Sequence, residues 1–309
     1  MARKDESTML YILQTALELG FLYAPVALAL FLSYRILDIA DLTTDGCFTL
    51  GAAVSVVVCA AGHPILAVPA AMATGAAAGF VTALLQTKLG VPSILAGIVT
   101  NTGLYTVNLM VMGWTSTASL IRQNTIFRMF ESTGIGGDWC DIILGGAITV
   151  AAALLLVAFL GTRLGLSIRA TGDNRDMVRA SSINPTFTIT VGLCIANALT
   201  GLSGALVGQA QRSANVNIGT GMVVIGLACL IIGETVVGRG SMLRGALSVF
   251  VGSIIYRIIY AVALSSRIFP IEAMKLVTAV IVGLAIAAPA IKRWAALQRR
   301  KAAAGKGAR

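Results

Sequence analysis

Long apolar stretches, most of them near the length of a bilayer crossing, alternate with short polar turns along nearly the whole chain. A helical crossing of the hydrocarbon core needs roughly 20 mostly apolar residues. Nine stretches approach that pattern: 10–32, 47–61, 64–85, 92–112, 142–160, 186–207, 222–237, 246–264 and 273–290. The second and seventh are short, and each follows a polar, glycine-containing turn, which is how a discontinuous or re-entrant helix is written in sequence. The pattern therefore predicts an all-α, polytopic transmembrane helical bundle of about nine spans, within a range of eight to ten. No stretch between the spans could bury a core of its own. The chain reads as one transmembrane domain, 1–309, with an N-terminal segment 1–9, a membrane core 10–290 that includes a polar loop at 161–185, and a basic tail 291–309.

Composition sharpens the picture. The chain is 57% hydrophobic and 12% charged, where an ordinary soluble domain carries about 25% charged residues. Its net charge of +10 does not point to nucleic acid, because Lys and Arg are confined to short loops and the tail, without a basic groove or interleaved aromatics. The charges set topology instead. The loop 161–185 holds Arg163, Arg169, Arg175 and Arg179, and the tail holds Lys292, Arg293, Arg299, Arg300, Lys301, Lys306 and Arg309. Both belong in the cytoplasm by the positive-inside rule, with the tail near anionic headgroups. Counting spans then puts Arg35, Lys88, Arg239 and Arg244 inside, while the longest outside loop, 113–141, keeps only Arg122 and Arg128. The N-terminus falls outside despite Arg3 and Lys4, and no cleavable leader pattern follows it. Five cysteines without metal-ligand spacing read as small buried hydrophobes. Gly75 to Gly79 forms a small-residue face suited to close helix contact.

Candidate chemistry lies in three places. The stretch Asp45 to Ala53 resembles Thr220 to Ala228, each following a polar turn and opening a short span, and in the deduced topology the two copies enter from opposite sides. That is a weak inverted repeat, and paired short spans of this kind point to a central site. The loop Arg169 to Pro185, RATGDNRDMVRASSINP, predicts a short cytoplasmic helix capped by Asp173, with Asp176 in its first turn and Asn184 and Pro185 ending it. Arg175 and Arg179 share a face of that helix, and Met177 offers apolar contact. Third are polar groups within or at the ends of spans: Glu18, Thr44, Asp45, Thr100, Asn101, Asn108 and Glu234. Ionisable groups there face a cavity or a partner by default. Glu234 serves either a structural hydrogen bond or the pathway and its gating. Asp45 and Thr44 suit holding the backbone of a helix break, and Asn101 and Asn108, seven apart, either line a pathway or bridge helices. His63, the single histidine, has no partner for metal or catalysis.

At these residues the chain resembles permeases of the branched-chain amino acid and ribose type of ABC importer. Their cytoplasmic Arg-Ala-x-Gly-acid-Asn segment ending in Ile-Asn is matched by Arg169, Ala170, Gly172, Asp173, Asn174, Ile183 and Asn184. Asp41 to Gly46, DLTTDG, is similar to the motif of the subfamily paired with tryptophan- or tyrosine-binding lipoproteins, as are YTVNLMVMG at 105–113 and IGLACLIIGE at 225–234. The likeness runs from about Leu10 to Ala290, and departs at Arg175, where Pro is common, and at Ser181 and Ser182, where a small residue and Gly are usual. The resemblance implies a bacterial inner-membrane permease, a homodimer or paired with a related permease around a central pathway. It implies an ATPase docking on Arg169, Asp173, Asn174, Arg175, Asp176, Met177, Arg179 and Asn184, and an extracytoplasmic binding protein that delivers a small solute, an amino acid, with an aromatic one possible. The chain has no phosphate-binding loop. No cofactor is expected on it, no metal and no enzymatic activity; ATP and Mg would be used by the partner ATPase. The alternative is an ion-coupled secondary transporter with Glu18, Asp45 or Glu234 as proton carriers. An intramembrane enzyme finds no Ser/His, Asp/Asp or zinc arrangement to support it.

Overall fold

The computed structural model describes residues 2–121, 123–132, 134, 137–238 and 240–265, with 276, 278–284 and 287 beyond them, and side chains from Ile12 onward apart from 138 and 265. The described chain is helical almost throughout. Helix α1 (Ala2–Leu30) runs into a π-helical turn at Phe31–Ile36, and α2 (Thr44–Ala60), α3 (Pro64–Thr87) and α4 (Ser93–Val111) follow. A short strand β1 (Thr117–Ser119), a one-and-a-half-turn helix α5 (Ile126–Glu131) and α6 (Cys140–Leu160) come next. Two polar helices, α7 (Arg163–Asp173) and α8 (Arg175–Ala180), lead to α9 (Pro185–Ala210), β2 (Ser213–Asn215), α10 (Met222–Val237) and α11 (Met242–Ser265). Among the described residues, six helical segments are long and apolar enough to cross a membrane: Ile12–Ile36, Pro64–Thr87, Ser93–Val111, Cys140–Leu160, Pro185–Ala210 and Met242–Leu264. The two expected short spans are α2 and α10. The ninth candidate is described only at 276, 278–284 and 287, where the backbone is helical. Most of that span, Arg122, Arg239 and the basic tail lie outside the described residues, and so do the side chains of Arg3 and Lys4.

Glycine and alanine decide which helices touch. Helix α9 is the central post, buried along most of its length against α2, α3 and α1. Gly75 and Gly79 of α3 lie against the carbonyls of Asn197 and Leu193, Gly201 against that of Ala71, and Gly204 against that of Phe48. At each point a Cβ would fall on a neighbouring backbone atom, so the small residues set the distance between helices. Gly233 and Gly252 do the same for α10 and α11. Leu28, Leu30, Leu32, Phe48, Leu193 and Leu206 fill the core that this packing encloses. Apolar side chains on the outer faces of α3, α4 and α6, such as Phe80, Ile98 and Leu155, stay exposed, as a lipid-facing surface requires.

The polar loop at 161–185 differs from expectation in one respect. Two helices occupy it, and α8 is capped by Asn174, not Asp173: the Asn174 Oδ1 accepts from the Asp176 and Met177 amides, both at 3.0 Å. Asp173 instead ends α7, a helix that the arginine-rich text concealed. The extended backbone of Asn174 separates the two helices. Asn184 opens α9, accepting from the Thr186 amide at 3.0 Å, with Pro185 in the first turn.

Candidate functional site

The weak repeat becomes a physical junction. The starts of α2 and α10 face each other, and the carboxylate of Asp45 spans the gap: its two oxygens accept from the amides of Gly221 and Val223, each at 2.9 Å. A carboxylate on the free amides of a helix N-terminus meets both hydrogen-bond donors and the positive end of the helix dipole. Gly221 takes a left-handed φ of 86°, which lets the chain turn sharply into α10. Thr49 adds a second tie, accepting from the Gly219 amide at 3.1 Å.

Beside this junction lies a polar cavity of about 270 Å³, lined by Asp45, Thr49, Asn101, Tyr105, Asn108 and Thr220 among others. Three of the expected intramembrane residues, Asp45, Asn101 and Asn108, thus meet in one place. Asn108 Nδ2 donates to the Gly46 carbonyl at 3.2 Å, while its buried Oδ1 has no partner among the described residues. The lining offers amide, hydroxyl and carboxylate groups to a polar guest. The neighbours Thr44 and Thr100 are spent on the backbone: Thr44 donates to the Asp41 carbonyl at 3.1 Å and Thr100 to that of Ala96 at 2.9 Å. Neither lines this cavity.

A second cavity, of about 280 Å³, lies at the other end of α10 and gathers Glu234, Arg35, Arg169 and Asp173. Glu234 forms an ion pair with Arg35 at 3.1 Å. Two residues of the 161–185 loop thereby stand next to the C-terminal end of α10, a juxtaposition invisible in the spacing of the sequence. Helix α7 is fixed there by two further contacts. Gly172 lies against the Ile36 carbonyl, and the hydroxyls of Thr171 and Thr188 bond at 2.8 Å. Asp173 ends α7 exposed at the edge of this cavity, and beyond it Asn174, Arg175, Asp176, Met177 and Arg179 are exposed while Val178 is buried. Asn184 is exposed and Arg169 half-buried.

Sequence reasoning passed over four buried polar residues. Asp41, within the quoted DLTTDG motif, accepts from the Thr43 amide at 2.9 Å and from Asn197 Nδ2 of α9 at 2.7 Å. It lies in the connection between spans, where burial pushes its carboxyl up and the hydrogen bonds from Thr43 and Asn197 oppose that. Gln209 ties α9 to α2, α3 and α5 through Ser55, the Pro64 carbonyl and the Ile126 amide. Arg257 lies within α11, almost wholly buried. Its signal was available: it is an arginine inside an apolar stretch. Asn197 and Gln209 carried only the weaker signal of an amide inside an apolar run.

Comparison with known proteins agrees with this architecture. The family described as "Branched-chain amino acid transport system / permease component" matches residues 12–288. A tyrosine transport system permease protein of Clostridioides difficile is 33% identical over 258 residues, 83% of this chain and 84% of that protein. An uncharacterized protein of Rickettsia prowazekii is 30% identical over 289 residues, covering 91% and 98% of the two chains. A nucleoside ABC transporter permease protein of Lactococcus lactis, NupB, is 26% identical over 166 residues, 48% of this chain and 45% of its own. No solved structure matches significantly. With a family match over nearly the whole chain and a bundle of apolar helices around two polar cavities, this protein is a multi-pass membrane transport permease and belongs to the permease-component family of branched-chain amino acid transport systems.

Proposed function

We propose that the chain is the membrane-spanning subunit of an ATP-driven ABC importer in a bacterial inner membrane. It passes a small solute of the amino acid class, aromatic ones included, delivered by an extracytoplasmic binding protein. It works as a homodimer or beside a related permease, and a cytoplasmic ATPase supplies the energy with ATP and Mg. The relative from Clostridioides difficile, named as a tyrosine transport permease, supports the cargo class. The nucleoside permease relative is more distant and covers under half of the chain.

One observation carries the proposal: the α7–α8 corner is rigidly held at its base and bare at its tip. Thr171 and Gly172 fix α7 to α9 and to the end of α1. Met177 stands 55% exposed at the outermost turn, flanked by Arg175, Asp176 and Arg179. An apolar knob ringed by charges on a short stiff helix fits a groove on another protein, not a lipid surface. Force on that knob reaches α7, and α7 borders the cavity in which Glu234 and Arg35 hold the end of α10. Helix α10 then carries displacement to the Asp45 junction and the polar cavity beside it. That cavity is the proposed passage, with Asn101 and Asn108 offering weak, exchangeable hydrogen bonds and Asp45 holding the turn beside it. Conduction calls for binding strong enough to enter and weak enough to leave.

Of the three carboxylates that an ion-coupled carrier could use, the two other than Glu18 are engaged: Asp45 with two backbone amides and Glu234 with an arginine. Neither is poised to release and regain a proton with each cycle. The direct test places a cysteine at Met177 and one in the groove of the partner ATPase. A cross-link that forms in the assembled complex and slows its ATP-driven uptake is the expected result. A corner that never cross-links to the ATPase overturns the proposal.

A further inference from the structure

Arg257 poses a problem that neither polar cavity answers. It lies in the second half of α11 and is 8% exposed. Its guanidinium carbon stands 3.7 Å from the ring centroid of Tyr23 on α1, with the rings of Tyr256 and Tyr260 at 6.0 and 5.9 Å. Those rings stabilise the face of the cation. They leave its edge unmet. Nε and Nη2, whose N–H bonds point to the same side, have no hydrogen-bond partner among the described residues. That edge is the fork that receives a carboxylate with two parallel hydrogen bonds.

The described acids do not fill it. Asp45 is held by the amides of α10 and Glu234 by Arg35. A guanidinium buried within a membrane helix is costly, and such groups mark substrate paths, relays or partners. Arg257 also borders a cavity of about 490 Å³, together with Tyr23, Gly221, Met222, Tyr256 and Tyr260. Its volume falls in the range of roughly 300–1,000 Å³ of small-molecule sites. Thr220 lines both this cavity and the polar one beside Asp45, so the two lie on either side of the turn into α10.

We propose that this tyrosine-walled cavity is a transient site for the carboxylate of the transported solute, a proposal that rests on the importer reading. Nε and Nη2 of Arg257 hold the carboxylate, and Tyr23, Tyr256 and Tyr260 flank an aromatic or apolar remainder. The two nitrogens are covered in the present conformation, so occupancy requires the side chains over that edge to move aside.

The test uses the full-length chain in phosphatidylcholine nanodiscs and two probes that differ at one group, 3-phenylpropionate and 3-phenylpropionamide. Saturation-transfer NMR, which reads weak binding, is expected to give at least a threefold stronger signal for the acid. Arg257→Gln should equalise the two probes with the melting temperature retained. If that variant fails to fold, Arg257→Lys keeps the charge and loses the fork, and should reduce the acid's advantage. Equal signals for acid and amide in the unaltered protein overturn the proposal, and so does an advantage that survives both substitutions. Nanodiscs containing phosphatidylglycerol decide between solute and lipid. If that lipid abolishes the acid's advantage and stabilises the unaltered protein but not Arg257→Gln, the fork serves a lipid phosphate and the solute site is refuted. Uptake in the reconstituted transporter separates the two proposals. No ATP-dependent uptake by the unaltered complex sinks the importer, whereas normal uptake with Arg257→Gln sinks the site alone.

Discussion

Two charged contacts hold the ends of α10, and their surroundings give them different weights. Asp45 caps the helix with both oxygens on amides at 2.9 Å. Removing such a cap costs about 0.5–2 kcal/mol. Asp45→Ala is therefore expected to lower the melting temperature of the purified permease, with Asp45→Asn intermediate because the amide keeps one acceptor. Identical melting for all three proteins would rule out the cap as a stabilising element. The Arg35–Glu234 pair is another matter. The Arg35 side chain is 45% exposed whereas that of Glu234 is 8% exposed, so solvent screens the arginine but not the carboxylate, and the surface-pair value of about 0–1 kcal/mol is a lower bound. If the pair transmits motion, Arg35→Glu and Glu234→Arg each reduce ATP-driven uptake severalfold, and the double exchange recovers a substantial part. A double exchange no better than either single one removes the pair from the coupling path.

Helices rather than residues explain why some of this was legible and some was not. Hydropathy placed nine stretches, because lipid demands a long apolar run for each crossing; six are helices of that length among the described residues, α2 and α10 are the two short ones, and most of the ninth lies outside the described residues. Their likeness in sequence marked α2 and α10 as pointers to a central site, and the contact between their starts, made by Asp45, could not be read from it. The polar loop was half legible: an exposed α8 was expected, but α7 was not, since its buried face is only a few residues such as Gly165, Ile168 and Thr171. Asp173 looked like a cap because nothing in the text showed a helix already running through it. The cluster of Glu234, Arg35, Arg169 and Asp173 could not be read at all, since pairing across distant segments is set by packing. That packing depends on glycine. Gly204 lies on the Phe48 carbonyl of α2, and a side chain there overpacks the contact at a cost of about 1–3 kcal/mol or more. Gly204→Leu is expected to lower the yield of monodisperse permease sharply, whereas Gly103→Leu, where a Cβ meets open space, should leave it unchanged.

At the scale of the whole molecule, the distinctive feature is that α2, α3 and α9 interlock as one group, while α10 packs mainly on α11 and α1. Helices α2, α3 and α9 interlock through glycine contacts and the Asp41–Asn197 and Gln209–Ser55 bonds, which makes them a stator. Helix α10 touches that stator mainly at its first turn and packs along α11 and α1. Its 16 residues span about 24 Å at 1.5 Å per residue, from the polar cavity to the corner formed with α7. Because α10 is packed along α11 and α1 and meets the α2–α3–α9 group mainly at its first turn, the proposed displacement would carry α10 together with α11 past that group. The expected consequence is a transporter driven from outside itself. In proteoliposomes that contain the permease, its ATPase and its binding protein, uptake should require all three and ATP, and a pH gradient without ATP should drive none. Uptake by the permease alone under a proton gradient would make the ATPase dispensable and overturn that expectation.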